Sequence, residues 1–135
     1  MLNLTALATA TQTIERPGGV ARLSMLEVPP LFVVEASGQI GPAMMRAILA
    51  VAEPYGRNHP AGWDYLVDPR RVTLAHPLNL FWFYKIHRLP HLRRYIALTP
   101  TTRILRFLAH VAARLTGPDM LLATPEDLTR LYGRS

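Results

Sequence analysis

The side chains best suited to chemistry fall in one short segment, LVDPRRVTLAHPL at residues 66–78. An apolar run that ends in Asp68 and a proline predicts a strand followed by a turn, and open α/β sheets bind ligands beyond the carboxyl ends of their strands. Arg70 and Arg71 could hold an anionic group there, because arginine contacts carboxylates and phosphates through paired hydrogen bonds. We favour the simpler interpretation, a carboxylate that caps a turn beside two solvated arginines, with His76 at a helix entry. No glycine-rich phosphate loop accompanies these residues.

Patterns typical of catalysis or metal binding are missing from the sequence. There is no cysteine, which removes thiolate nucleophiles, disulfides and cysteine-based zinc sites. His87 and His91 have the spacing of two helical metal ligands, but Pro90 stands between them and no acid is close in sequence. No serine occupies a Gly-x-Ser-x-Gly elbow, and no paired carboxylates flank an evident cleft. We therefore expect no enzymatic activity, no cofactor and no metal.

An aromatic segment, LNLFWFYKIHRL at residues 78–89, is predicted to be helical, with Pro90 as its end. At helical spacing, one apolar stripe contains Leu78, Trp82, Ile86 and Leu89, with Phe81 beside it, and another side holds Leu80, Phe83 and Tyr84. A helix that covers a sheet needs only one apolar stripe. The second side therefore predicts a surface that is covered by the same chain, a partner protein, a second copy or a lipid tail.

A further helix is predicted over residues 101–116, where Arg103 and Arg106 begin a basic stripe opposite an apolar face. A basic amphipathic helix can lie on an anionic membrane surface, although the same pattern suits an ordinary helix that covers a sheet. Taken together, the two helices give a lipid hypothesis. The aromatic side would line a cavity, and Arg103 and Arg106 would meet the head group.

Composition limits the classes of partner. The chain has 135 residues, half of them apolar, and a formal charge of +6, which favours one globular domain with a basic surface. A positive net charge is compatible with nucleic acid or an anionic membrane as the partner. We do not expect nucleic acid, because the aromatic residues are gathered on one helix rather than along a basic groove. The sequence has no run of the ~18 apolar residues that a membrane span needs and no signal-peptide pattern. We expect a cytoplasmic protein, with peripheral membrane contact as the alternative.

The order of elements predicts an α/β domain. The predicted strands cover residues 20–26, 31–36, 63–67, 94–98 and 120–123, and the predicted helices cover 42–53, 78–89, 101–116 and 125–132. This alternation favours right-handed crossovers and a mostly parallel sheet of about five strands with four helices. The first two strands have too short a link to be parallel, so they form an antiparallel hairpin. Residues 1–19 show no sustained hydrophobic periodicity. They are predicted to be a loose extension or a short helix before a domain at residues 20–135.

Several short motifs resemble the STAS domain, and more closely its SpoIIAA-like branch, over about residues 22–133. The resemblance rests on RYIAL at 94–98, on RFL at 106–108, on the closing EDLTRLYG at 126–133, and on SGQI at 37–40. It implies a binding or regulatory module that acts through helix surfaces on a protein partner or on itself. The same branch is related in fold to CRAL-TRIO lipid-binding domains, which implies the lipid-binding alternative.

The resemblance also gives the segment at 66–78 a counterpart. In phosphorylated STAS antagonists, the third strand ends in Asp, and an Asp-Ser pair that carries the phosphoacceptor opens the next helix. Asp68 matches the strand-end Asp, and the Asp-Ser pair falls on His76 and Pro77. Proline has no hydroxyl to phosphorylate. The resemblance therefore implies a module without the phosphoserine switch.

Overall fold

Six strands form one mixed sheet with the spatial order β1-β2-β3-β4-β5-β6. The structure is a computed structural model, and it describes residues 4–76, 79–98 and 120–132. The strands are β1 (Ala10–Arg16), β2 (Gly19–Leu26), β3 (Leu31–Ile40), β4 (Trp63–Ala75), β5 (Leu92–Leu98) and β6 (Met120–Ala123). The pairs β1–β2 and β2–β3 are antiparallel, and β3–β4, β4–β5 and β5–β6 are parallel. The predicted α/β class, the hairpin and the mainly parallel remainder are confirmed, with one strand more than expected.

The described helices are α1 (Pro42–Arg57), α2 (Asn79–His87) and α3 (Pro125–Tyr132), preceded by a short 3₁₀-helix (Leu4–Leu7). The helix predicted at 101–116 lies outside the described residues. Helix α1 begins with a proline, as expected, but it continues past Pro54, where we predicted its end. The added turn is held by packing, because it buries Tyr55 and sets Gly56 against the Trp63 indole.

Strand β1 corrects the prediction of a loose N-terminal extension. Its seven residues pair with β2 across a tight hairpin in which Gly18 has a φ of +83°. The side chain of Ile14 is buried, whereas the others of β1 are exposed. A strand with one buried side chain has no apolar alternation to detect, which explains why the sequence did not reveal it. The sheet therefore begins at Ala10.

Strand β4 corrects the prediction that a turn follows Val67. It continues to Ala75, and its residues beyond Val67 pair with β3 only. The register changes from Glu35 opposite Asp68 to Ser37 opposite Arg71, so β4 has one extra residue there. Such a β-bulge accommodates a proline inside a strand, because the extra residue need not donate to the ladder. The Asp-Pro pair is thus a bulge and not a turn.

The two faces of the sheet bury different sets of residues. Helices α1 and α2 cover the first face, where aromatic rings pack closely, for example Tyr65 on Tyr95 with centroids 5.0 Å apart. Helix α3 contributes Leu128 to a smaller cluster on the second face, together with Leu26, Leu31, Val33, Leu66, Ile96 and Leu98. This second cluster lies toward the amino ends of β3 and β4. Further along these two strands, the described residues of this face are mostly polar.

A fully buried carboxylate ties α3 to the sheet. Asp64 accepts hydrogen bonds from the Tyr132 hydroxyl at 2.5 Å and from Arg94 at 2.7 Å, with Arg93 further away at 3.4 Å. Burial raises the pKa of Asp64, but the hydrogen bonds and the two guanidinium charges outweigh it, so its pKa lies below the usual range. Since the lowered pKa favours the ionised form, this anchor stabilises the fold above the usual pKa of aspartate.

We expect Asp64→Asn to lower the free energy of unfolding by about 1.5–3 kcal/mol at pH 7, because hydrogen bonds to a charged group are lost. Tyr132→Phe should cost about 0.5–1.5 kcal/mol, since one hydrogen bond is removed. Urea unfolding at several pH values measures both. The gap between wild type and Asp64→Asn should close as the pH falls through the lowered pKa of Asp64. A gap that stays constant down to pH 2 would contradict the anchor.

A histidine joins the end of α1 to the loop between β2 and β3. The Nε2 atom of His59 lies 2.6 Å from the Glu27 carboxylate, and its Nδ1 lies 2.7 Å from the Tyr55 carbonyl oxygen. The Tyr55 hydroxyl in turn donates to the Leu26 carbonyl at 2.5 Å. Burial lowers the pKa of His59, but the carbonyl and Glu27 more than compensate, so its pKa is raised.

A raised histidine pKa means that this stabilisation is present below about pH 6.5 and is lost as the pH rises through the folded-state value. Glu27 is more than half exposed, so we expect the pair to contribute less than about 1 kcal/mol. Urea unfolding of wild type and His59→Gln at pH 5.5 and 9 should show the larger difference at pH 5.5. A larger difference at pH 9 would refute the ion pair.

Candidate functional site

The polar part of the second face is built by the strand register. Arg22 lies opposite Glu35, and Glu35 lies opposite Asp68, so these three residues form one row across β2, β3 and β4. Ser37 and Arg71 form part of the next row. Cross-strand partners share a face, and the same face buries apolar side chains one step nearer the amino ends of β3 and β4. The apolar cluster therefore gives way to a charged surface within two residues.

A cleft of about 500 Å³ lies over these rows, and we call it the bulge cleft. It contains three arginines, two carboxylates, one hydroxyl and two apolar residues. Its lining residues are Val20, Arg22, Glu35, Ala36, Ser37, Asp68, Arg70 and Arg71.

The bulge in β4 explains why these charges meet. Val72 is buried in the first core cluster, so Arg71 before it points to the second face, where Asp68 also lies. With regular alternation, Asp68 and Val72 would share a face, and Arg71 would lie on the other one. The extra residue therefore turns Val72 into the core and brings Arg71 into the bulge cleft.

Asp68 is neutralised inside the cleft. Arg70 donates from Nε to Oδ1 and from an Nη atom to Oδ2, both at 2.9 Å, and its backbone N–H donates to Oδ1 at 3.1 Å. Burial raises the pKa of Asp68, but the contacts with Arg70 and then the charge of Arg71 outweigh it, and the pKa falls below the usual range. The two residues form a bidentate ion pair, the strong type for arginine and a carboxylate.

The other charged residues of the cleft lack such partners within the described parts of the chain. Neither Arg22 nor Arg71 makes a salt bridge there, and both are exposed. The Oε1 atom of Glu35 is buried and has no hydrogen-bond partner among the described residues. A buried carboxylate oxygen without a donor is unfavourable, so an incoming donor group would be stabilised at this point.

His76 lies beyond the cleft. Its backbone N–H donates to the Ile40 carbonyl at 3.1 Å, so it continues the pairing of β4 with β3. Its side chain is exposed and is not part of the cleft lining. We predicted a helix entry at this residue, and the described part of α2 begins at Asn79.

Helix α2 presents aromatic side chains to solvent. Ile86 is buried as predicted, whereas Phe81 and Tyr84 are 55% and 51% exposed. The Nζ atom of Lys85 lies 4.9 Å from the centroid of the Phe81 ring, and Arg88 lies over the Tyr84 ring and donates to its hydroxyl. The sequence places Phe81 beside the buried stripe and among the candidate ligand- or partner-binding residues, and its role in binding stays a prediction. We call Phe81, Tyr84, Lys85 and Arg88 the α2 surface.

The remaining predicted site residues lie outside the described part of the structure. This applies to the side chains of Leu80 and Phe83, and to Arg103 and Arg106 entirely. The lipid hypothesis, which depends on these four residues, therefore stays a prediction.

Sequence reasoning missed two members of the bulge cleft, Arg22 and Glu35. Glu35 had a detectable signal, because it is the one charged residue in the apolar run LFVVEA of β3. Arg22 had no detectable signal, because polar and apolar residues ordinarily alternate in an antiparallel strand such as β2.

The described residues contain neither a cluster of metal ligands nor a membrane-spanning helix. No three His, Asp or Glu side chains come close enough to hold a metal ion in those parts of the chain. Among the described helices, none has the length and apolar character needed to cross a membrane.

The pKa of Asp68 offers a direct test of the ion pair. In Arg70→Ala, burial persists while the largest stabilising contacts are lost, so the pKa should rise markedly. In the matched control Arg71→Ala, it should rise less, because Arg71 acts only through its charge at a distance. Carbon-13 NMR titration of the Asp68 carboxyl measures both shifts. Equal shifts in the two variants, or none, would contradict the bidentate geometry.

Comparison with known proteins supports the fold but not a specific family. No protein-family model matches the chain, and no curated protein matches it either. An uncharacterised protein of the DUF3478 family with a SpoIIAA-like fold, from Shewanella loihica, superimposes with a TM-score of 0.60 at 9% identity, over 92% of this chain and 98% of that one. The unphosphorylated anti-sigma factor antagonist SpoIIAA gives a TM-score of 0.55 at 17% identity, over 93% and 100%.

An anti-sigma factor antagonist from Mycobacterium paratuberculosis is also similar, with a TM-score of 0.49 and 20% identity, over 93% of this chain and 94% of that one. The first two structures match nearly the whole of both chains. At this level of identity, they show the arrangement of strands and helices and not the activity. The predicted resemblance is thereby confirmed at the level of fold: the chain has the SpoIIAA-like fold.

Proposed function

We propose that this chain is a non-enzymatic binding module that engages a protein partner through the α2 surface. The observation that carries the proposal is the exposure of Phe81 and Tyr84 on one short helix. Aromatic residues are enriched at protein interfaces, because they bury a large area at low cost in conformational entropy. An exposed pair on an ordered helix is therefore well suited to a partner.

The charges of α2 define what kind of partner fits. Lys85 and Arg88 lie over the exposed rings, and residues 79–89 contain no acidic side chain. The complementary surface is acidic at its rim and apolar at its centre, since interfaces combine an apolar core with charge complementarity. We expect such a face on the partner.

The sequence supports a module that works without the phosphoserine switch. Pro77 stands where the resemblance places the phosphoacceptor, and it has no hydroxyl. One protein with the same fold is an anti-sigma factor antagonist, whose target is itself a protein. We extend that class of partner, and not the individual target, to this chain.

The proposal can be tested by photo-crosslinking in cells that produce the protein. A photoreactive amino acid would replace Tyr84 in one variant and Val28, which is 85% exposed on a loop between β2 and β3, in the control. We expect a protein to be crosslinked to the residue at position 84 and not to the residue at position 28. A crosslink from position 84 to a second copy of this chain would show that the module binds itself.

The crosslinked partner would then be identified and purified on its own, and its affinity for this chain would be measured by calorimetry. The double variant Phe81→Ser/Tyr84→Ser should weaken binding at least about tenfold, which corresponds to about 1.4 kcal/mol, and the control Val28→Ser should bind like wild type. Both are surface changes, so the free energy of unfolding should move by only about 0.5 kcal/mol. No protein joined specifically at position 84, or unchanged affinity of the double variant, would reject the proposal.

A further inference from the structure

We propose that the bulge cleft is a binding site for a small phosphomonoester that also has a hydroxyl or amino group. The inference does not depend on the proposed function, because no residue of α2 lines the cleft. It rests on the arrangement of Arg22, Arg71 and Glu35 around a pocket of ligand size. Sites for small molecules commonly have volumes of about 300–1,000 Å³, and this cleft, at about 500 Å³, falls in that range.

The two arginines stand on either side of one strand. Arg22 belongs to β2 and Arg71 to β4, with Ser37 and Glu35 of β3 between them. Neighbouring strands lie about 4.8 Å apart, so the two arginine backbones are separated by about 10 Å across the sheet. Long guanidinium side chains on one face at this separation can contact a single anion above β3 from opposite sides.

The two unpaired guanidinium groups favour an anion with several acceptor oxygens. Arg70 is occupied by Asp68, which leaves Arg22 and Arg71 and one carboxylate, that of Glu35, without a partner in the described structure. A phosphomonoester carries a charge of about −1.5 to −2 at pH 7, and its three free oxygens can accept hydrogen bonds from both arginines at once. A simple carboxylate has one charge and two oxygens, so it offers the two arginines fewer acceptors.

Glu35 adds a second requirement. Its buried Oε1 atom needs a hydrogen-bond donor, and the phosphate group of a fully ionised monoester cannot provide one. A hydroxyl or amino group on the organic part of the ligand can. Glu35 therefore selects an esterified phosphate that has a donor over sulfate, which is a dianion without a donor at neutral pH.

The cleft does not suit nucleic acid. Its apolar lining consists of Val20 and Ala36, and neither offers a flat ring on which a base could stack. Proteins that bind single strands combine a basic groove with aromatic platforms. The exposed rings of the described structure lie on α2, which does not line this cleft.

The test uses glycerol 3-phosphate as the soluble probe, measured by calorimetry at low salt with the full chain. Sulfate and glycerol are the comparison ligands. Vesicles that contain phosphatidic acid, against vesicles of phosphatidylcholine alone, test whether the same group is presented by a membrane. We expect wild type to bind glycerol 3-phosphate more tightly than sulfate and not to bind glycerol.

The variant Arg22→Ala/Arg71→Ala should lose at least about tenfold in affinity, or about 1.4 kcal/mol. The control Arg57→Ala/Arg130→Ala removes two exposed arginines of α1 and α3, so it lowers the net charge equally and should bind like wild type. Glu35→Ala should bind sulfate at least as well as wild type but lose the preference for glycerol 3-phosphate. Urea unfolding confirms that each variant is folded.

Binding to phosphatidic acid vesicles alone, with the same loss in Arg22→Ala/Arg71→Ala, would support the site with a lipid as its ligand. No binding of wild type to either the soluble or the vesicle probe would overturn it. Equal weakening in the two double variants would also overturn it, because the effect would then follow the net charge and not the cleft.

Discussion

The bulge in β4 is the constraint on which the chemistry of this sheet depends. Strand β4 passes through Asp68 and Pro69 without stopping, and it gains one residue relative to β3 between Asp68 and Arg71. Because side chains alternate along a strand, one extra residue exchanges the faces of the residues that follow it, up to a second register shift between Val72 and Leu74. Val72 thereby enters the core, and Arg71 joins Asp68 on the second face. A ladder without the bulge would bury an arginine and expose a valine.

The same sheet therefore has two surfaces of different character. The first face is apolar and is covered by α1 and α2, whose outer side shows Phe81 and Tyr84 to solvent. The second face is apolar toward the amino ends of β3 and β4, where the anchor on Asp64 holds α3. Its other half is the bulge cleft. Stability is thus concentrated at one end of the strands, and unpaired charge at the other, the end at which α/β sheets bind ligands.

Much of the architecture could be predicted from the sequence, and the failures have physical causes. The long apolar runs of β3 and β5 and the proline at the start of α1 are strong local signals, and these elements were found. Strand β1 buries only Ile14, so it has no periodic signal. The end of α1 was misplaced because buried contacts of Tyr55 outweigh the local effect of Pro54.

The candidate site was harder to predict than the fold. Asp68, Arg70 and Arg71 were recognised by type, yet Asp-Pro is a turn signal, and only pairing with β3 turns it into a bulge. The partners Arg22 and Glu35 are distant in sequence and meet Asp68 only through the register of three strands. Register depends on the whole sheet, which local patterns do not reveal.

The register of β4 against β3 is the most direct test of this account, and cross-strand nuclear Overhauser contacts measure it. Contacts should place Glu35 opposite Asp68, Ser37 opposite Arg71 and Gly38 opposite Val72. That result would establish the bulge and the shared face of Arg71 and Asp68. Contacts that place Ser37 opposite Arg70 would mean a ladder without the bulge, with Arg71 on the core face, and would contradict the account.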